Sequence, residues 1–274
     1  SVWEGIQNIG RRHTLRIPEV PLFGGRLFDF AYYTEHLAQL EAVYALFNDA
    51  YSRELFEDMI AFRLTGNPVF LAKTESAADS LASLLDPEGI HTVLDCGAYT
   101  GDSAKIFVDV LHPDKILAVE PDPKTFQKLC RYAMEEGRCT VIPIHSAVGE
   151  RDGVTDFVTA GSRASKAGGN TGGRSGRRVK TGEISCCTID SLLWGKDSVD
   201  LIKLDVEGEE AAALAGAVDT IHTDHPALAV SLYHRTEDLF VLPKMLQELY
   251  PSARFYLRRP PCIPAWDLTL YVIP

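Results

Sequence analysis

Residues Thr92 to Asp102 constrain the fold more than any other stretch. An apolar run rich in β-branched residues ends in Asp95, Gly97 and Gly101 follow four apart, and a helix-compatible segment runs from Ser103 to Leu111. A strand, a glycine turn and a helix in that order open a nucleotide-binding α/β sheet. The glycines are expected to let the backbone pass close beneath a bound ligand. A dinucleotide fingerprint needs G-x-G-x-x-G to seat a pyrophosphate on the helix N-terminus. Here the spacing is G-x-x-x-G and position 99 is tyrosine, which counts against a nicotinamide cofactor. A ligand carrying a carboxylate, an ammonium and a sulfonium tolerates the looser turn and calls for acidic neighbours.

The rest of the chain repeats the alternation of strand and helix. Strands are expected at Lys115–Glu120, Thr140–Ile144, Asp200–Asp205 and Pro226–Leu232, with an antiparallel edge pair at Arg254–Arg258 and Asp267–Val272. Asp122 before Pro123 marks a helix start, and Gly137 its end. Such alternation implies a mostly parallel sheet covered on both faces. Upstream, Thr34 is a candidate N-cap for a helix burying Leu37, Leu40, Val43, Tyr44 and Phe47. A second helix spans Tyr51 to Leu64 and stops at Gly66. The expected division is an arm and helical subdomain over 1–85, and an α/β domain over 86–274. The subdomain either closes as a lid or only extends the core. Within the larger domain, about 161–182 form a basic insertion with seven glycines, including Arg163, Lys166, Arg174, Arg177, Arg178 and Lys180, too polar to build a core.

At 274 residues with 46% hydrophobic side chains the chain can bury a substantial core without staples. Its six cysteines show neither CxxC pairing nor zinc-ligand spacing, so reduced thiols are expected. A formal charge of -11 repels phosphate backbones and argues against nucleic acid as partner. There is no apolar run long enough to span a membrane and no signal-peptide core at the first residues, which leads to the expectation of a cytoplasmic protein. The oligomeric state is not legible.

In open α/β sheets, ligands sit outside the carboxyl ends of the strands. The candidate cofactor-binding residues are therefore Asp95, Gly97, Tyr99 and Gly101 after the first strand, Glu120 after the second, Ser146 and Ala147 after the third, and Asp205 after the fourth. Glu120 is placed to grip two ribose hydroxyls. The catalytic candidates are His234 as general base, since imidazole titrates near neutral pH, with Asp205 and Glu207 as competitors. Glu209 and Glu210 are expected to favour the following helix N-terminus through its dipole. A magnesium ion held by Asp205, Glu207 and His234 is a weaker option, because a hard ion prefers oxygen to imidazole, and no metal site is assigned.

Five segments, VLDCGAYTGDSA (93–104), AVEPDPKTFQKL (118–129), HSAVGE (145–150), TIDSL (188–192) and above all LIKLDVEGEE (201–210), occur in an order and spacing that resembles FkbM-type S-adenosylmethionine-dependent methyltransferases. SRELFEDMIAFRLTGNP (52–68), LYHRTEDL (232–239) and WDLTLYVIP (266–274) resemble their flanking segments, so the likeness covers roughly residues 50–274. It implies a Rossmann-like class I methyltransferase sheet with an antiparallel final strand, S-adenosylmethionine as cofactor, and O-methyl transfer to a hydroxylated small molecule, sugar or secondary metabolite. The competing readings are an NAD-dependent oxidoreductase and a ligand-binding relic of the fold without catalysis.

Overall fold

A computed structural model describes residues 8–9, 14–17, 26–159, 166–167, 180–195, 198–262 and 267–274. Most of the glycine-rich insertion expected over 161–182, and most of the arm before residue 26, lie outside these. Between residues 26 and 66 run the helices α1 (Phe30–Glu35), α2 (Leu37–Leu46) and α3 (Ala50–Thr65). The helix expected to start at Thr34 and carry Leu37, Leu40 and Val43 is α2, which starts after His36 without a side-chain cap, while Asp29 caps α1, its carboxylate accepting from Tyr32 N at 2.8 Å. Thr34 lies inside α1 with its hydroxyl bonded to Phe30 O, a position where threonine satisfies the preceding turn rather than starting a helix. Gly66, at φ +62°, ends α3 as expected. Helix α4 (Ala77–Leu84), capped by Ser76, was not foreseen.

The α/β part then runs β1 (Thr92–Cys96), α5 (Asp102–Val110), β2 (Lys115–Val119), α6 (Pro123–Glu135), β3 (Thr140–Ile144), β4 (Ala147–Val148), β5 (Gly153–Thr159), β6 (Lys166–Ala167), β7 (Lys180–Cys187), α7 (Ile189–Leu193), β8 (Leu201–Leu204), α8 (Glu210–Ala215), α9 (Val218–Asp224), β9 (Ala227–Ser231), α10 (Asp238–Leu249), β10 (Arg254–Arg258) and β11 (Thr269–Ile273). The main sheet has the order β10-β11-β9-β8-β1-β2-β3. Every neighbour pairs in parallel except β11, which is antiparallel to both β9 and β10. The expected antiparallel edge pair of the last two strands is present. β11 inserts between β9 and β10, which suits its almost wholly buried TLYVI sequence, and β10 forms the edge. The segments flanking the basic insertion pair as β5 and β7 in a second, smaller sheet of order β4-β7-β5-β6.

Strand alternation sends apolar side chains to both faces. Leu94, Leu117, Ile202, Leu204, Leu228 and Val230 join a core shared with α1–α3 and the helices after β7. Val93, Ile116, Ala118, Leu201 and Ala229 face the opposite core beneath α4, α5 and α6. The first helices also cover the β10 edge. Asn48 exchanges hydrogen bonds with Phe255, and Leu257 N donates to Ser52 Oγ at 2.8 Å. Pairing an edge in this way removes a template for association with other chains. Among the described residues no helix is long and apolar enough to cross a membrane.

Candidate active site

The turn after β1 is built from three left-handed residues, Gly97 (φ +79°), Tyr99 (φ +50°) and Gly101 (φ +93°). The glycines are required by the protein itself. A Cβ on Gly97 would lie 2.0 Å from Asp205 O, and one on Gly101 would lie 2.4 Å from the Tyr132 ring. The expectation that they chiefly clear space for a ligand is therefore revised: they let β1 and β8 converge and let α6 pack against the turn. Tyr99 bears the strain of a left-handed aromatic residue, a cost of about 1–3 kcal/mol, and turns its N–H toward Glu120.

Glu120 ends β2 and is 7% exposed. Its Oε2 accepts from Tyr99 N at 3.0 Å and its Oε1 from Asp122 N at 2.7 Å. Two backbone donors fix the carboxylate and leave a lone pair on each oxygen. Burial, partly countered by those N–H groups, raises its pKa to about 7. Ser146 and Ala147 stand beside it after β3, with Ser146 Oγ turned to Ala147 O and Ser185 O.

β8 delivers the densest charge. Lys203 Nζ donates to Gly97 O at 2.8 Å and lies 3.1 Å from Asp95 and 3.8 Å from Asp205. Burial disfavours this ammonium, yet Asp95 and Asp205 outweigh it and hold its pKa above the usual lysine range. Asp95 is fully buried and also accepts from Ser103 Oγ at 2.5 Å. Asp205 Oδ1 accepts from Tyr233 at 2.8 Å and Ser231 at 3.1 Å. Against the upward push of burial, Lys203, His234 and these hydroxyls keep Asp205 below the ordinary carboxylate range.

The loop after β8 carries Glu207 (φ +58°) and Gly208 (φ +93°). Glu210 turns back to hold it, accepting from Val206 N at 2.9 Å, and pairs with His234 Nδ1 at 2.8 Å. Arg235 clamps the other side through Gly208 O and Glu209. Burial raises Glu207 to about 8. His234 is fully buried, with Nε2 3.5 Å from Asp205 and 3.7 Å from Glu207. Burial alone would lower its pKa, but Glu210, Asp205 and Glu207 raise it to about 9. Where an imidazole beside the pocket was expected, the ring is instead buried among Glu210, Asp205 and Glu207, a surrounding that favours its protonated form.

These elements surround a cavity of about 840 Å³, a size suited to a small-molecule ligand. Gly97, Tyr99, Glu120, Ser146, Ala147, Asp205 and Glu207 line it, whereas Asp95, Gly101 and His234 stand behind the wall. No residue of α1–α3 lines it. Lys203, Ser231 and Tyr233 also line it and were missed. Spacing in LIKLD held one clue, since Lys203 and Asp205 lie two apart and share a strand face. One ligand atom each from Asp205, Glu210 and His234 lies within 4.8 Å of the others. This group contains Glu210 where the magnesium option had Glu207, and its imidazole and Glu210 are already paired.

The fold is similar to that of the methyltransferase FkbM from Methylobacillus flagellatus KT, with TM-score 0.68 and 24% identity over 88% of this chain and 60% of that one. The chain thus spans 60% of that protein's length. Fibrillarin from Aeropyrum pernix, solved with natively bound S-adenosyl-L-methionine, gives TM-score 0.45 and 16% identity over 72% of this chain and 73% of its own. No curated protein matches the sequence. The methyltransferase FkbM domain model matches residues 95–258, more than half of the chain, and the chain belongs to this family of methyltransferases.

Proposed function

We propose that the protein is an S-adenosylmethionine-dependent O-methyltransferase acting on a small hydroxylated acceptor. The observation that carries this reading is Glu120, a carboxylate fixed by two backbone N–H groups at the second strand end and turned to the cavity. That geometry suits a ribose diol, which needs two acceptors held side by side. Asp102, Asp122 and Asp205 line the same cavity, and Lys203, the cation among them, is committed to protein partners, so the field favours a positively charged ligand. Bound there, the cofactor supplies a methyl group already activated by its sulfonium.

The chain's own tasks are to align the acceptor, exclude water and remove one proton. Glu207 lines the cavity with a pKa near 8 and is the base in this reading. His234 and Glu210 hold the loop that presents it. Calorimetric titration with S-adenosylhomocysteine and with NADH is the test. Binding of the first but not the second is expected, with Glu120→Ala weakening it at least about tenfold. NADH binding, or no binding of either, overturns the reading. Glu207→Gln should retain homocysteine-adduct affinity and lower turnover about 10²-fold, the usual scale of a general base.

A further inference from the structure

Register places side chains of neighbouring strands in rows across the sheet. On the face covered by α4 and α5, one row reads Ala118, Asp95, Lys203, Ala229 and Tyr271, from β2 to β11. Its character changes partway. Asp95 and Lys203 form an ion pair, whereas Ala229 offers a methyl group and Tyr271 a ring whose hydroxyl is engaged by Ser80. Leu81 of α4 and Ile106 and Phe107 of α5 line the same cavity.

Strands lie about 4.8 Å apart, so a cavity reaching from Ser146 after β3 to Tyr271 on β11 crosses five intervals, roughly 24 Å. The proposed donor anchors Glu120, Gly97 and Asp205 account for β2, β1 and β8. β9 lies roughly 5 Å and β11 roughly 10 Å beyond β8. There the row below is apolar, while Ser231 and Thr269, one pleat nearer the strand ends, add hydroxyls.

We infer that this end of the cavity is the acceptor subsite, and that it takes a hydroxyl-bearing compound with an aromatic or similarly apolar ring. The inference rests on the donor reading above. A ring lies against Leu81, Ile106, Phe107 and Tyr271, and its hydroxyl points back toward Asp205 and Glu207. A bare sugar would find partners only toward the strand ends, at Ser231, Tyr233, Asp267 and Thr269, and would press its remaining hydroxyls against Leu81, Ile106, Phe107 and Ala229, which offer none. Ala229 sets the depth of the recess, because a larger side chain between Lys203 and Tyr271 fills it.

The test uses 2-naphthol as probe and methyl α-glucoside as polar comparator, titrated into the protein with and without saturating S-adenosylhomocysteine. Stoichiometric naphthol binding is expected, with little or no glucoside binding. Ala229→Phe and, on the opposite wall, Ile106→Trp should each weaken naphthol at least tenfold and leave S-adenosylhomocysteine affinity unchanged. If Ala229→Phe fails to fold, Ile106→Trp decides. Naphthol binding unaffected by the folded variants, or glucoside binding in its place, overturns the acceptor assignment. Loss of S-adenosylhomocysteine binding in the unmutated protein overturns the donor reading instead, and the two failures are read from separate titrations.

Discussion

Lys203 gathers three parts of the site with one ammonium: the carbonyl of the β1 turn, the buried Asp95 and the end of β8. Lys203→Met leaves Asp95 charged and enclosed, and should destabilise the protein by about 3–5 kcal/mol, measurable as a lower urea midpoint. Gly97→Ala combines a left-handed backbone with a clash against Asp205 O, and should cost about 3 kcal/mol or more, seen as a lower Tm and lost S-adenosylhomocysteine binding. His234 makes a prediction in pH. Its free value is near 6.5 and its folded value about 9, so its stabilisation is complete below about pH 6.5 and is lost as pH rises through 9. Glu120, Glu207 and Asp238, raised to about 7, 8 and 7 chiefly by burial, act in the same direction from lower pH. Urea midpoints should therefore fall between about pH 6 and pH 9.5, and His234→Asn should flatten the upper part of that fall. A flat profile in the unmutated protein would refute the charged-imidazole picture. Glu120, Asp205 and Glu207 were legible because a strand end is a position that sequence pattern can find. The depth of His234 was not, since it depends on how the 206–210 loop folds back with two left-handed residues in succession.

Among the elements, the strands of the main sheet were the most readable. β3 and β10 fall at their expected limits, because each is a short strand-compatible segment, TVIPI and RFYLR, bounded by turn residues such as Gly137 and the Pro260-Pro261 pair. Helix α4 was passed over although Ser76 and Asp79 form a capping pair, since its eight residues offer only two turns of periodicity. The position of β11 was illegible for a different reason. Local pattern reports that a strand exists and not which slot it fills, and here an intervening slot was left open between β9 and β10. Ser52 tests how the first helices hold this part together. Its hydroxyl oxygen accepts from Leu257 N and Arg258 Nη1, both buried, so Ser52→Ala should lower stability by about 1–3 kcal/mol in thermal denaturation, with S-adenosylhomocysteine affinity little changed.

For the whole molecule, the two apolar faces of the sheet bind all layers into one structure, with α1–α3 sharing a core with β8 and β9. Removing residues 269–274 takes out an interior strand and strips hydrogen-bond partners from both β9 and β10. Such a truncation should abolish cooperative unfolding altogether, as followed by circular dichroism, instead of peeling away one edge. The covering of β10 by Asn48 and Ser52 bears on synthesis as well. During translation these helices leave the ribosome early, yet the strand they seal arrives some two hundred residues later, at about 5–20 residues per second. For tens of seconds the surface that β10 covers lacks its native partner, so the yield of folded protein should respond to elongation rate.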